Sequence, residues 1–397
     1  MTAHDIRPLE GLRVVEFTHF IAGPSAGQRL AELGADVIKV EPPKGDPTRP
    51  GPGNENASHF LAFNRGKRSV VLDLRDPAGE EAARALAAGA DIVLHNVSAD
   101  SMERHGLDGP SIRALNPRVI YGSVRGFPSN SARAGQKGFD GIGQAESGMV
   151  WVNGTPESGP LKLPYAPVDT ATGDALLQGI LAAVIKRLRT GQGSEIEVSL
   201  FEGGIHLQQA AWSKFLQNGR SPERIGNLEA DVAPAAEILQ VADGFVIMSA
   251  YLPPHFAALC RLLGIEELLD DPRFATNDTR LAHQVDLHDL IQAAVDRKGW
   301  TVREAGEAFE SIRIAHGVVR SYQDILDDAA IHDSGQLATA ERPDGSTYLA
   351  LNAPYRVAGE RRPTQSPPTP RLGEHTDEVL DEIARGEWDH HDQRHVA

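Results

Sequence analysis

The sequence predicts an α/β protein whose main domain is a Rossmann-like, doubly wound parallel sheet. Short apolar segments typical of buried strands alternate with helical segments before residue 125, which is typical of strand–helix–strand units with parallel strands. The composition, with 41% hydrophobic and 24% charged residues, is that of an ordinary globular protein. The predicted strands are RVVEF at 13–17, ADVIKVE at 35–41, SVVLDL at 69–74, DIVL at 91–94 and VIYGSV at 119–124.

The helices between these strands have recognisable starts. A turn, THFIAGP, follows the first strand and leads into the helix SAGQRLAELG. Asp76 is a predicted N-cap, with Pro77 at the first helical position. The turn after the first strand contains a single glycine, Gly23, which Pro24 follows. It therefore lacks the glycine fingerprint of dinucleotide-binding proteins. Two short helices are also expected, at 102–105 and 112–115.

The most informative stretch reads PVDTATGDALLQGILAAVIKRLRTGQGSEIEVSLFEG. Asp169 lies just ahead of a predicted helix, for which Thr170 or Thr172 is the expected N-cap. Because the segment from Ala175 to Ile185 is apolar on nearly every face, we expect most of this helix to be buried. The helix ends at Gly191, and the alternating residues after it predict a strand with one polar face.

Asp169 has two interpretations. A carboxylate beside a helix N-terminus receives N–H donors and a favourable dipole, so we expect it to be ionised. An ionised, partly desolvated carboxylate can attack an activated carbonyl. The alternative is that Asp169 only caps the helix, which is the commoner role and the one that spacing alone favours.

The chain is predicted to leave its large domain and return to it. The composition becomes polar over 218–227, where we place a boundary, and strands are expected at 236–240, 245–249 and 346–350. The predicted domains are the first part of the large domain at 1–222, an inserted smaller α+β domain at 223–328 and the return to the large domain at 329–397.

The charge, the cysteine content and the apolar segments limit the classes of partner and the cellular compartment that we expect. The net charge of −16 argues against nucleic acid, so an anionic ligand would need a local basic pocket. The single cysteine, Cys260, excludes an intrachain disulfide and fits a reducing compartment. We recognise neither a leader sequence nor an apolar run of the about 18 residues that span a membrane. We therefore expect a soluble cytoplasmic protein with no membrane partner. The histidines of the tail WDHHDQRHVA are not expected to bind metal, since no CxxC or HExxH motif accompanies them.

Six segments occur in the order found in one enzyme family. They are LEGLRVVEFTHFIAGPSAGQRLAELGADVIKVEPPKGDPTR, FNRGKRSVVLDL, PVDTATG, TGQGSEIEVSLFE, DPRFATNDTR and PRLGEHTDEVL. Through these segments the chain resembles the class III CoA-transferases, the formyl-CoA transferase and carnitine CoA-transferase (CaiB/BaiF-type) family. That family also contains the α-methylacyl-CoA racemases. The resemblance extends from about Leu9 to Leu380.

The resemblance implies a fold and a mechanism. Family members have a Rossmann-like large domain with an inserted small domain, and two subunits form an interlocked-ring homodimer. The nucleophile of the transferases matches Asp169, which would carry coenzyme A as an aspartyl-CoA thioester between an acyl-CoA donor and a carboxylic acid acceptor. Coenzyme A is then part of the substrate, and neither a metal nor another cofactor is implied. We expect backbone N–H groups near Asp169 to stabilise the oxyanions.

The family's coenzyme A site is matched by Leu72, Arg75, Asn96, Val97, Arg104 and Lys137. Simpler roles exist for them: the three cations could be solvated surface charges, Asn96 could cap a turn, and Leu72 could be a core residue. Together, however, the cations would supply the local positive field that a nucleotide phosphate needs on an acidic protein.

One position separates transferases from racemases. The racemases carry a His-Asp pair and move the α-proton between that histidine and the aspartate equivalent to Asp169, which requires acid/base groups on opposite faces of the carbon. Phe139 stands at the histidine position and Asp140 follows it, as an aromatic residue and an acid do in formyl-CoA transferases. Phe139 could otherwise be core, and Asp140 could either orient groups near Asp169 or be solvated. We predict a transferase; the alternatives are a racemase or isomerase, or a non-catalytic acyl-CoA-binding homologue.

Two departures argue against formate and oxalate as substrates. Ile21 stands where formyl-CoA transferases have Gln, and the stretch at 249–254 lacks their glycine-rich loop. A more apolar acyl group, or a dicarboxylic acid held by other residues, is expected instead.

Overall fold

The structure, a computed structural model, describes residues 7–49, 51, 57–228, 234–355 and 362–389. The three histidines of the tail lie outside these residues. The strands are β1 Arg13–Phe17, β2 Asp36–Glu41, β3 Arg68–Val71, β4 Ile92–His95, β5 Ile120–Arg125, β6 Gly154–Thr155, β7 Gly159–Pro160, β8 Ser194–Ser199, β9 Ala236–Val241, β10 Gly244–Ser249, β11 Ala315–Val318, β12 Leu337–Glu341 and β13 Thr347–Leu351.

The helices are distributed along the whole chain. They are α1 Ala22–Glu32, α2 Ser58–Phe63, α3 Pro77–Gly89, α4 Ala99–Arg104, α5 Gly109–Leu115, α6 Asp140–Glu146, α7 Met149–Val152, α8 Pro167–Thr190, α9 Leu200–Leu207, α10 Gln209–Asn218, α11 Pro253–Leu263, α12 Asn277–Ala282, α13 Gln284–Lys298, α14 Val302–Ser311, α15 Tyr322–Leu326, α16 Ala329–Asp333 and α17 Thr376–Ala384. Two 3₁₀ turns are also present, Glu266–Leu269 and Pro272–Phe274.

A six-stranded parallel sheet forms the larger unit, with strand order β3-β2-β1-β4-β5-β8. The order is that of the Rossmann fold. Successive residues of β1 point to opposite faces: Val14 packs with α1 and α8 through Leu30 and Leu176, and Val15 packs with α3 through Leu86. Helices therefore cover both faces, and the predicted mixed α/β architecture with parallel strands is confirmed.

The largest helix differs from its prediction in two ways. Helix α8 begins at Pro167, so Asp169 lies inside its first turn, and Ala166 rather than Thr170 or Thr172 occupies the N-cap position. Its burial is also one-sided, since Ile185 is 53% exposed. The expectation that most of this helix is buried is therefore wrong for the single chain. Pro167 favours a helix that begins at this residue, because its backbone dihedral angle already suits the first helical position and it has no N–H group that needs a hydrogen-bond acceptor.

By length and composition alone, α8 could cross a membrane. It lies instead against α1, α9 and the sheet, with Val168, Leu176 and Ile180 buried. This is the environment of a core helix in a globular protein. Helix α1 also starts earlier than expected, at Ala22 within the predicted turn.

The described residues form two units. The larger comprises the described residues within 1–149, 162–209 and 329–397, and the smaller comprises those within 150–161 and 210–328. The smaller unit has its own core, in which the antiparallel sheet β11-β10-β9 packs on helices through Leu239, Phe256, Cys260, Ile291 and Phe309. The smaller unit includes 150–161 and 210–222, and the larger unit resumes at 329. The domain bounds expected from the sequence stay a prediction.

Candidate active site

The first turn of α8 is capped by a residue from another helix. The N–H groups of Val168 and Asp169 both donate to Oδ1 of Asp140, at 2.8 and 3.0 Å. The N–H of Thr170 donates to the carbonyl of Ala166 at 3.2 Å. Since Pro167 has no N–H, the donors of this turn are all engaged. They are therefore not available to the oxyanions that we expected them to stabilise.

Asp140 is fixed in turn by Gln144. Asp140 is the first residue of α6, and its Oδ2 accepts a 2.5 Å hydrogen bond from the side-chain amide of Gln144. The Gln144 side chain is fully buried, and its Oε1 accepts from the N–H of Leu163 at 2.8 Å. Its Nε2 also lies 3.3 Å from the carbonyls of Leu163 and Tyr165. One amide thus orders both the capping carboxylate and the segment that leads into α8. Of the two roles predicted for Asp140, the structure shows the orienting one.

The Asp169 carboxyl has an unusual pKa. Burial, and secondly the negative charge of Asp140, raise the pKa of Asp169 to about 7. None of the described cations forms an ion pair with it. The expectation that the helix N-terminus keeps Asp169 ionised is therefore wrong, because Asp140 takes the donors and adds a like charge.

Helix α8 lies very close to α1 at this end. A Cβ on Gly173 would come within 2.7 Å of the carbonyl oxygen of Ala22 and 2.1 Å of Oγ of Ser25, so only glycine permits this approach. Gly173 is one turn after Asp169. The first turn of α1, and the loop before it, therefore lie beside the carboxylate.

That loop, residues 18–21, is called the β1–α1 loop here. Phe20 has a left-handed backbone conformation, with φ +64°, and its ring packs edge-to-face on Phe139 with centroids 5.5 Å apart. The side-chain amide of Asn96 binds both backbone groups of His19, accepting from its N–H at 3.0 Å and donating to its carbonyl at 2.7 Å. Phe139 is 54% exposed, so it is not a core residue.

The residues predicted for the coenzyme A site have different environments. Leu72 is buried, and Val97 packs against the same apolar cluster. The Arg75 side chain is 83% exposed and pairs with Asp73 at 2.7 Å. Arg104 and Lys137 are exposed. Asn96 is engaged with His19, as described above. Their assignment to coenzyme A stays a prediction.

Several residues of this region escaped the sequence analysis. Gln144 and Phe20 carry no motif of their own, and their roles depend on tertiary contacts. A signal did exist for a third feature: Glu16 and Lys39 are charged residues inside otherwise apolar strands. Charged side chains are almost never fully buried unless they are paired, so a buried pair could have been inferred from these two residues, but the sequence analysis did not make this prediction.

The fold and the site together define a class of protein. A carboxyl with a pKa raised to about 7 lies in the first turn of α8, the helix that leads back into strand β8 of a Rossmann-type sheet. Such sheets bind ligands at the carboxyl ends of their strands. This is the environment of a catalytic acid or nucleophile. The chain belongs to CoA-transferase family III, whose family model matches residues 9–376, and it is a CoA-transferase. The resemblance seen in the sequence is confirmed.

Individual relatives are similar over nearly their whole length. The succinate–glutarate CoA-transferase of Agrobacterium fabrum is 36% identical over 386 residues, which are 95% of this chain and 96% of that protein. The probable fatty acyl-CoA transferase of Mycobacterium tuberculosis is 31% identical, covering 94% and 98% of the two chains. The crystal structure of a CaiB/BaiF family protein from Brucella suis superposes with a TM-score of 0.82 at 35% identity, covering 96% and 99%.

Proposed function

We propose that this protein moves coenzyme A from an acyl-CoA donor to a carboxylic acid acceptor through an aspartyl-CoA thioester on Asp169. The observation that carries the proposal is the Asp169 carboxyl itself. It is partly buried and lacks an ion pair with any described cation, and it lies at the motif that matches the nucleophile of the family. A desolvated carboxylate without a counter-ion is a strong nucleophile towards a thioester carbonyl.

The proposed reaction keeps atoms and charge balanced. The ionised Asp169 attacks the thioester carbonyl, giving an acyl-aspartyl anhydride and the thiolate of coenzyme A. The thiolate attacks the aspartyl carbonyl, which yields the aspartyl-CoA thioester and the carboxylate of the donor acid. The acceptor carboxylate then attacks this thioester, which expels the thiolate and forms a second mixed anhydride. The thiolate attacks the acceptor carbonyl of this anhydride, which yields the new acyl-CoA and regenerates the ionised Asp169. Because one thioester replaces another, the reaction requires neither ATP nor a metal.

Asp140 has a positioning role in this scheme. Its carboxylate binds the N–H groups of Val168 and Asp169, which fixes the first turn of α8. Its charge also disfavours ionisation of Asp169 and so keeps that carboxylate reactive. The oxyanion donors must come from groups other than the Val168 and Asp169 amides.

For the substrate, we propose a small dicarboxylic acid and its thioester. Relatives named for succinate and glutarate, and for mesaconate, support this choice. The exposed ring of Phe139 beside Phe20 favours a second candidate, an apolar acyl group, and the Mycobacterium tuberculosis relative is named for fatty acyl-CoA. A homodimer of interlocked subunits and a cytoplasmic location are further parts of the proposal.

Mass spectrometry of the intact protein tests the proposal. Incubation with succinyl-CoA, glutaryl-CoA or a medium-chain acyl-CoA should add a mass to Asp169 that hydroxylamine removes. Asp169→Asn, freshly purified and free of deamidation, is the control and should remain unlabelled. If no donor in the panel labels the wild-type protein, or if Asp169→Asn is labelled equally, the proposed nucleophile is wrong.

A further inference from the structure

Two fully buried lysines lie beneath the β1–α1 loop. They are Lys39, in β2, and Lys67, just before β3. Both contact Glu16 of β1, which is also fully buried: Lys67 Nζ is 2.7 Å and Lys39 Nζ is 3.5 Å from its Oε1. Lys39 also pairs with Asp46 at 3.0 Å. The four charges sum to zero, so the cluster is electrically balanced.

Each lysine binds one end of the segment that contains the loop. Lys39 Nζ donates to the carbonyl of Thr18 at 2.7 Å. Lys67 Nζ donates to the carbonyl of Pro24 at 2.9 Å, and also to Oδ1 of Asn64 at 3.0 Å. The Thr18 carbonyl lies just after β1, beyond the sheet ladder, and Lys39 supplies its donor. The Pro24 carbonyl lies in the first turn of α1, where Lys67 adds a side-chain donor to the helical hydrogen bonding.

Between these two anchors lies the part of the loop that faces the site. The side chain of Asn96 forms hydrogen bonds with the backbone of His19. The next residue, Phe20, has a left-handed backbone conformation, and its ring packs against the ring of Phe139. Phe139 directly precedes Asp140, the carboxylate that caps the turn bearing Asp169. A left-handed conformation is unfavourable for phenylalanine, and such residues persist only where their surroundings fix them.

We propose that Lys39 and Lys67, joined by Glu16, are positioning residues that fix the β1–α1 loop against the Asp169 site. They touch neither Asp169 nor the reacting atoms; they act through the backbone of the loop. The inference rests on the proposed function, because its readout is the acylation of Asp169. Apolar side chains of the same size could not bind the carbonyls of Thr18 and Pro24, so the buried ammonium groups fix this backbone in a way that apolar residues would not.

The test compares the substitution of two buried cationic residues of the larger unit, Lys39 and Arg187. Lys39→Met removes the donor to Thr18. Arg187→Met is the matched control: Arg187 is buried at the other end of α8, where it pairs with Asp91 at 3.1 Å and donates to the Asp91 carbonyl at 3.0 Å. Both variants lose a buried cation and its ion pairing, but only Lys39→Met loses a contact with the loop.

The measurement is the single-turnover rate of Asp169 labelling, made at a temperature where both variants are folded by circular dichroism. We expect labelling to be slower by about 100-fold in Lys39→Met and by less than about 3-fold in Arg187→Met, because small displacements of a site cost large factors in rate. Equal slowing in the two variants overturns the inference. If the wild-type protein itself is not labelled by any donor, the proposed function has failed instead.

Asn96→Ala provides an independent measurement should Lys39→Met not fold. Asn96 binds the same loop from the opposite side but is only half-buried. If the loop positions the site, the labelling rate of this variant falls at saturating acyl-CoA, and its dissociation constant for free coenzyme A is unchanged. A weaker dissociation constant with a normal saturating rate would make Asn96 a coenzyme A ligand and would contradict the positioning role of the loop.

Discussion

Asp140 Oδ1 accepts a hydrogen bond of 3.0 Å from the backbone N–H of Asp169. The same carboxylate therefore orders the turn that carries Asp169 and opposes the ionisation of its side chain. The oxygen of an asparagine could accept the same two N–H groups, since asparagine caps a helix as well as aspartate. Its NH2 group would face the Gln144 amide, so the hydrogen bond that Oδ2 accepts would be lost. The charge of Asp140 is thus separable from its capping role, and this separation can be tested.

Asp140→Asn should shift the pH dependence of the reaction. The amide oxygen can still accept from Val168 and Asp169, but the charge that raises the pKa of Asp169 is gone. Transfer requires ionised Asp169, so the wild-type rate should fall as pH decreases through about 7. In the variant this decrease should occur at lower pH, although burial still keeps the pKa above the ordinary value. The measurement is kcat/KM between pH 5 and 9.

Glu146→Gln is the control for this experiment. Glu146 is an exposed acid of the same helix and pairs with Arg133 at 2.8 Å. Its neutralisation should leave the pH profile unchanged. An identical profile for wild type and Asp140→Asn would show that the charge of Asp140 does not influence Asp169.

Asp169→Asn should abolish transfer and leave the fold intact. Loss of a covalent nucleophile should reduce kcat by about 1000-fold or more. Steady-state assays with the donor identified by labelling provide the measurement, and circular dichroism checks the fold. A variant free of deamidation that keeps more than about a tenth of the wild-type rate would exclude Asp169 as nucleophile.

The same substitution should stabilise the protein in a pH-dependent way. The folded pKa of Asp169 is raised to about 7, whereas the unfolded value is about 3.9. Below pH 4 both states are protonated, and the carboxyl brings no penalty. Between pH 4 and 7 only the unfolded state ionises, so wild-type stability falls relative to Asp169→Asn. The difference should reach at most about 4 kcal/mol above pH 7.

Urea unfolding of both proteins at pH 4, 5.5 and 8 measures this effect. A difference in unfolding free energy that is constant across the series would mean that the carboxyl of Asp169 is not perturbed in the folded state.

The protein should not exchange the α-proton of a 2-methylacyl-CoA at a useful rate. Asp169 can supply one acid/base group, but Phe139 occupies the position of the second group and has no exchangeable proton. Asp140 does not replace it, because both of its oxygens are hydrogen-bonded within the protein. Deuterium incorporation from heavy water, followed by NMR, is the measurement.

Turnover of about 1–1000 per second in that assay would favour a racemase over a transferase. If exchange is absent, Phe139→His is the informative variant. Exchange gained by Phe139→His and lost again when Asp169→Asn is added would show that one imidazole separates the two chemistries.

The protein should be a dimer in solution. Helix α8 exposes Ile185 and Leu188, the latter at 65%, and a second subunit would cover apolar side chains of this kind. Light scattering at low concentration should give twice the mass of 42.7 kDa. A monodisperse and active monomer would contradict the prediction.

Much of the fold was predictable because it depends on local patterns. The first, second, fourth and fifth strands of the parallel sheet were expected within about one residue, and Asp76 does cap α3 through the N–H of Ala78. The start of α8 was missed because Thr170 resembles an N-cap in sequence. Its hydroxyl instead donates to the carbonyl of Ala166 inside the helix, and the true cap lies 28 or 29 residues earlier, in α6.

The site was less predictable than the fold. The family motif identified Asp169 and Asp140, but the direction of the Asp169 pKa shift was missed because it depends on which group takes the helix donors. Gln144 was missed for a similar reason, since its contacts with Leu163 and Tyr165 join segments about 20 residues apart. Sequence patterns report periodicity along a chain, whereas these contacts depend on how separate segments meet.

Glu16 and Lys39 are direct neighbours across the β1–β2 pair of the central sheet. Side chains alternate between the two faces of a strand, so a slip of one residue between β1 and β2 would move one charge to the opposite face. The two charges would then be separated, and the cluster that they form with Lys67 and Asp46 would be broken, at a cost of several kcal/mol. An apolar pair at these positions would tolerate the slip far better. The buried charge cluster therefore favours the correct alignment of the first two strands.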